Sequence, residues 1–149
     1  MRIFFDTEFI EDGHTIDLLS IGLVRQDGQT YYAEPAETDR SRASDWVKEN
    51  VLPNLTGPVK PRDLIAAEVY EFTWPAPTFW AWYADYDWVA LCQLYGRMID
   101  LPKGWPMYCR DLKQVCDERG IRLAQGDSRH NALGDAQWLA QAWSEVLGG

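Results

Sequence analysis

The sequence predicts an α/β fold: a mixed five-stranded sheet with helices on both faces. Three observations carry this expectation. The first stretch of the chain reads as three consecutive strands, two of them joined by an Asp27-Gly28 hairpin signal. From there, helical and strand-like stretches follow in the order β-β-β-α-α-β-α-β-α, and strands first with alternation after imply a mixed sheet covered on both sides. Hydrophobic residues make up 46% and charged residues 25% of 149, which is globular usage and excludes bulk disorder. That length, with no repeat or long linker, fits one domain over residues 1–149.

Residues 3–6 (Ile-Phe-Phe-Asp) read as a short apolar strand that ends in an acid. Residues 15–25 are strand-like, and residues 29–33 return across the hairpin. A helix over 43–52 stops before Pro53. The Pro-rich residues 53–61 read as a surface loop. A second helix over 62–72 opens after Pro61 and sets Leu64, Ile65, Val69 and Phe72 on roughly one face. Residues 78–83 (Thr-Phe-Trp-Ala-Trp-Tyr) read as a buried strand, 87–98 as a helix and 107–109 as a short strand. Residues 111–119 form a helix stopped by Gly120. The last helix spans 131–147, with Asp135, Trp138, Leu139, Ala142 and Val146 on one stripe.

No apolar run of about eighteen residues exists, so no membrane-spanning helix is expected. The N-terminus meets Asp6 too early for a signal-peptide core, and a cytoplasmic location is expected. Cys92, Cys109 and Cys116 are odd in number and lack metal-ligand spacing, which suits a reducing compartment. The net charge of −9 argues against gripping nucleic acid by bulk electrostatics. It leaves open an enzyme that holds a phosphodiester through bound cations.

Three signals carry chemistry. Asp6 and Glu8 stand two apart at the end of a strand, so both point to one face, about 7 Å apart along it. Such a pair can share magnesium or manganese, and equally reads as solvated acids at a strand end. Asp87 follows the Trp-rich strand, where a helix cap is the plainer reading and Asp85 is a rival. His130 and Asp135 stand five apart, about 140° on a regular helix, so they converge only if His130 precedes the helix. Asp135 lies on an otherwise apolar stripe, and a buried lone carboxylate implies a partner cation, either a metal or an arginine.

Together, Asp-x-Glu on the first strand, Asp after the fourth and His-x4-Asp at the last helix resemble the DEDDh family of 3′-to-5′ exonucleases, which share a ribonuclease H-like fold. The match spans residues 6–135, nearly the whole chain. The sequence is more closely similar to the small mycobacterial ribonuclease AS-like exoribonucleases, which act on RNA with adenosine-rich 3′ ends. Residues 5–16 (FDTEFIEDGHTI) look like that group's opening, and Trp80-Ala81-Trp82, Tyr86-Asp87 and residues 89–94 look like its middle motif. Ala84 stands where many DEDDh members have an Asn. The resemblance implies two magnesium ions, with manganese as a substitute, held by Asp6, Glu8, Asp87 and Asp135, Asp6 bridging. It implies His130 as the base that takes a proton from the attacking water, and nucleoside 5′-monophosphates as products. It places Thr7, Glu8 and Phe9 beside the terminal nucleotide of a single-stranded RNA 3′ end, and it implies a homodimer. Ser20 and Ile21 are further candidates to flank the base, and Trp82 and Trp88 to stack on it. Arg97, Arg110 and Arg129 are candidates for phosphate contact.

The same acids and histidine serve a DNA-directed 3′-to-5′ exonuclease, since the motifs do not read the 2′-hydroxyl. A haloacid-dehalogenase-like phosphatase would also start with an apolar strand ending in Phe5-Asp6-Thr7, but it leaves His130 unexplained. A non-catalytic, RNA-binding use of a nuclease fold is the third alternative.

Overall fold

The computed structural model describes residues 1–126 and 130–148. Its centre is one mixed sheet in the order β4-β3-β2-β1-β5-β6. Strands β1 (Arg2–Glu11), β2 (Ile16–Arg25) and β3 (Thr30–Pro35) run antiparallel in sequence order. Strand β5 (Thr78–Ala81) lies parallel to β1, and β6 (Arg110–Asp111) lies parallel to β5. Between β2 and β3, Gly28 adopts φ +91°, a conformation glycine takes without a steric penalty. The fold is the expected ribonuclease H-like α/β arrangement, with one more strand than the five read from sequence.

That extra strand is β4 (Val59–Lys60), inside the segment read as a loop. It pairs with Glu34 and Pro35 at the sheet edge, where Glu34 N–H donates to the Pro58 carbonyl at 3.0 Å. Pro58 and Pro61 bracket it, as suits an edge strand. Backbone pairing rather than side-chain alternation makes this strand, so the residue pattern did not announce it. Strand β1 is also longer than expected: its polar half, residues 6–11, stays extended because β2 pairs with it to Glu11.

Helices α1 (Asp45–Asn50), α2 (Arg62–Thr73), α3 (Ala84–Cys92), α4 (Leu112–Arg119) and α5 (Ala132–Leu147) complete the chain. Period-2 alternation along β1 divides the core. Ile3 and Phe5 face α2 and α3, packing with Phe79, Ile65, Val69 and Leu91. Phe4 faces α4 and α5, packing with Trp80, Leu112, Leu139 and Ala142. A bulge between Glu8 and Phe9 shifts the register, and beyond it Ile10 and Leu19 form a third cluster with Ala43 and Val51, next to α1. No helix among the described residues is long and apolar enough to cross a membrane.

Two boundaries differ from the sequence reading for the same reason. The strand expected at 107–109 lies at Arg110–Asp111, and the helix expected from 87 starts at Ala84. Asp111 accounts for both. Its carboxylate accepts from the N–H groups of Tyr83 and Ala84, each at 3.2 Å, and from Lys113 N–H at 2.9 Å. One side chain therefore caps α4 locally and α3 from 27 positions away. Tyr83 holds the left-handed conformation (φ 56°) that turns β5 into α3.

Gly22 sets the position of α5. It sits opposite Asp6 in the β1–β2 ladder. A Cβ there would lie 2.4 Å from Leu133 N and 2.5 Å from the Ala132 carbonyl carbon, so the start of α5 rests directly on strand backbone. Gly22→Ala is expected to push α5 off the sheet, at a cost of about 1–3 kcal/mol from overpacking. Urea denaturation checks this: the midpoint should fall, and an unchanged midpoint would contradict the close contact.

Candidate active site

The middle of β1 and the start of α5 meet at three carboxylates. Asp6 and Glu8 share the α5 face of β1 by strand alternation. Asp135 projects from the first turn of α5, whose N-cap is the Asn131 side chain accepting from Gly134 N–H at 2.8 Å. One oxygen each of Asp6, Glu8 and Asp135 lie within 4.8 Å of one another. The glycine opposite Asp6 makes this proximity possible, because any side chain there would hold the helix away.

Asp87 reaches the same place from the opposite face, on α3. Strand β5 pairs with β1 only as far as Phe4, so the N–H of Thr7 has no strand partner on that side. Asp87 Oδ1 accepts it at 3.1 Å and accepts the Thr7 hydroxyl at 2.5 Å. Asp87 is 6% and Thr7 4% exposed. The rival Asp85 is exposed. An open cleft of about 460 Å³ joins the two sides and is lined by Asp6, Glu8, Phe9, Trp82, Tyr86 and Asp87, among others.

Burial and mutual repulsion favour the protonated forms of Asp6, Glu8 and Asp87. Asp6 is raised well above its usual range, first by burial and then by the charges of Asp87, Glu8 and Asp135. Burial, then Asp135 and Asp87, lifts Glu8 to about 8. Asp87 is lifted to about 7, mainly by burial, although both Thr7 hydrogen bonds favour its ionised form. Asp6 Oδ2 is buried and has no hydrogen-bond donor among the described residues. A buried anionic oxygen without a donor is costly, and clustered carboxylates fit hard divalent cations such as magnesium or manganese. The residues present fit such ions.

His130 precedes the cap of α5, in the left-handed conformation (φ 67°). Its N–H donates to Asp135 Oδ2 at 3.1 Å, and its carbonyl accepts from Asn54 Nδ2 at 3.4 Å. The imidazole meets Trp46 of α1 edge-on at 4.9 Å. The backbone of His130 is thus tied to the acids, while its ring lies against an indole that is 54% exposed.

The other sequence candidates divide. Phe9 and Trp82 line the cleft, with Phe9 6.1 Å from the ring of Tyr86 and Trp82 5.0 Å edge-on to Trp138. Thr7 lines it too, but its hydroxyl is engaged with Asp87. Ser20 and Ile21 are wholly buried in β2 and do not line the cleft. Ile21 belongs to the core beneath α2 and α3, because both faces of β2 are covered. Trp88 packs on Phe5 and Phe79 in the core. Arg97 is paired with Asp100, Arg110 lies 5.9 Å over the Trp80 ring, and Arg129 falls outside the described residues. Gly22, Trp46 and Asp111 were not singled out from sequence, and Tyr86 only as part of the middle motif. Only Asp111 carried a local signal, as an acid before a helix, and that signal shows nothing of its bond to α3.

Raised carboxyl pKa values make the metal-free protein sensitive to pH. The folded state keeps protons on Glu8 and Asp87 that the unfolded chain releases near its ordinary values of 4.5 and 3.8, so stability falls as pH rises from about 4 to about 8. Thermal melts in EDTA are expected to show that decline. Saturating magnesium should remove most of it, as should Glu8→Gln for its share. A melting temperature that rises or stays flat over this window would contradict the geometry.

Comparison with known proteins identifies the family. The family described as the 3′-5′ exoribonuclease Rv2179c-like domain matches residues 1–147. The 3′-5′ exoribonuclease Rv2179c of Mycobacterium tuberculosis (strain ATCC 25618 / H37Rv) is 46% identical over 147 residues, covering 92% of this chain and 88% of that protein. The 3′-5′ exoribonuclease MT2234.1 of strain CDC 1551 / Oshkosh matches to the same extent. Shared over nearly its whole length, these likenesses show that the chain belongs to the Rv2179c-like 3′-5′ exoribonuclease domain family.

Proposed function

We propose that this chain is a DEDDh-type 3′-to-5′ exoribonuclease that releases nucleoside 5′-monophosphates from single-stranded, adenosine-rich RNA. The observation that carries this reading is the convergence of Asp6, Glu8 and Asp135 within 4.8 Å around a buried oxygen with no donor among the described residues, with Asp87 on the adjoining cleft. Family membership supports an RNA substrate. The adenosine preference rests on the likeness to the ribonuclease AS-like group, as does a homodimer, and a cytoplasmic location rests on the three cysteines without metal-ligand spacing. Residues 1–149 form one catalytic domain in this reading.

Asp6, Glu8, Asp87 and Asp135 would hold two magnesium ions, which when bound supply a water made more acidic and positive charge for the phosphoryl oxygens and the leaving 3′-oxygen. The chain's own groups do the rest. A ring nitrogen of His130 takes the proton of the attacking water, which requires the neutral imidazole. Its backbone bond to Asp135 keeps that residue beside the acids whichever way the ring turns. Phe9, Tyr86 and Trp82 offer aromatic surface along the cleft, and stacking is worth about 1–3 kcal/mol per base. For a protein of net charge −9, such contacts substitute for a basic groove.

Digestion of 5′-labelled homopolymer RNAs and matched DNAs with magnesium tests the reading. A ladder shortening from the 3′ end is expected, fastest on oligoadenylate, with 5′-monophosphate products. His130→Ala should lower turnover about 10²–10⁴-fold, the usual worth of a general base, and Asp6→Asn should abolish it. Full activity in either variant would overturn the assignment, and faster cleavage of DNA than RNA would move it to a DNA-directed exonuclease.

A further inference from the structure

We propose that Thr7 is a positioning residue for this reaction: its hydroxyl and main-chain N–H together fix Asp87, so that one carboxylate oxygen is held and the other is presented to the cleft. This rests on the nuclease reading above. Asp6, Glu8 and Asp135 gather on the α5 side of β1, whereas Asp87 comes from α3 on the other side. Strand alternation turns the Thr7 side chain toward α3, away from the face shared by Asp6 and Glu8. Thr7 is therefore the residue between two candidate ligands whose own side chain reaches a further one.

Both of its donors meet the same atom, Asp87 Oδ1, at 3.1 Å and 2.5 Å. Asp87 Oδ2 receives no hydrogen bond among the described residues, and Asp87 lines the cleft. Thr7 is 4% exposed, so its hydroxyl acts on RNA only through Asp87. A carboxylate pinned at one oxygen can turn only about that oxygen, which narrows where the second can go. Outer partners of this kind orient the groups that touch a metal.

The test compares wild type, Thr7→Val and Thr7→Ser as full chains. Manganese binding without RNA is followed by the electron paramagnetic resonance signal of the free ion, and kcat and KM are measured on 5′-labelled oligoadenylate. Valine keeps the shape and the strand preference and removes the donor. Thr7→Val is expected to weaken manganese binding and lower kcat by about tenfold or more, with KM for RNA little changed. Thr7→Ser should restore both. If the valine variant does not fold, Thr7→Cys, a poor donor of similar size, takes its place. Wild-type values in the valine or cysteine variant would overturn the proposal, as would a serine variant as impaired as valine. Wild-type protein that binds no manganese and cuts no RNA would overturn the nuclease reading itself.

Discussion

Carboxylate charge gathered at the middle of the central strand is the constraint to which the surrounding chain answers. Among the described residues no ion pair joins Asp6, Glu8 or Asp87 to a lysine or arginine; ion pairs such as Arg42–Asp17 and Lys113–Asp117 involve other acids. What the chain does supply is partial. The N–H of His130 meets Asp135, and Thr7 meets Asp87 twice. Asp135 sits in the first turn of α5, where exposed N–H groups favour negative charge. Together these fix the positions of Asp135 and Asp87.

Backbone proximity makes the cluster possible. Gly22 is the least conspicuous of the residues involved, yet it lets a helix start rest on a strand opposite Asp6. Asp111 does comparable work on the other flank, holding the turn from β5 into α3 and so the helix that carries Asp87. Thr7 then links that helix to the central strand. Each of these devices acts between elements distant in the chain, and each leaves the cleft open to solvent.

That distance explains what could and could not be read from the residues. The last helix, expected over 131–147, is observed at Ala132–Leu147, because its apolar stripe and its Asn131 cap are local signals. The Asp27-Gly28 hairpin was legible for the same reason. The start of α3 was not, since its cap is a carboxylate supplied by Asp111. Strand β4 escaped because two residues at an edge are defined by pairing alone. At the site, spacing singled out Asp6, Glu8, Asp87, His130 and Asp135. It was silent on the direction of the His130 ring and on the burial of Ser20 and Ile21, which depends on which helices cover β2.

Whether the gathered acids are a cation cradle is tested most directly by crystals soaked in manganese and diffracted at its absorption edge. An anomalous peak is expected among Asp6, Glu8 and Asp135. A saturating soak at neutral pH with no peak within ligand distance of Asp6 would contradict the account at its root.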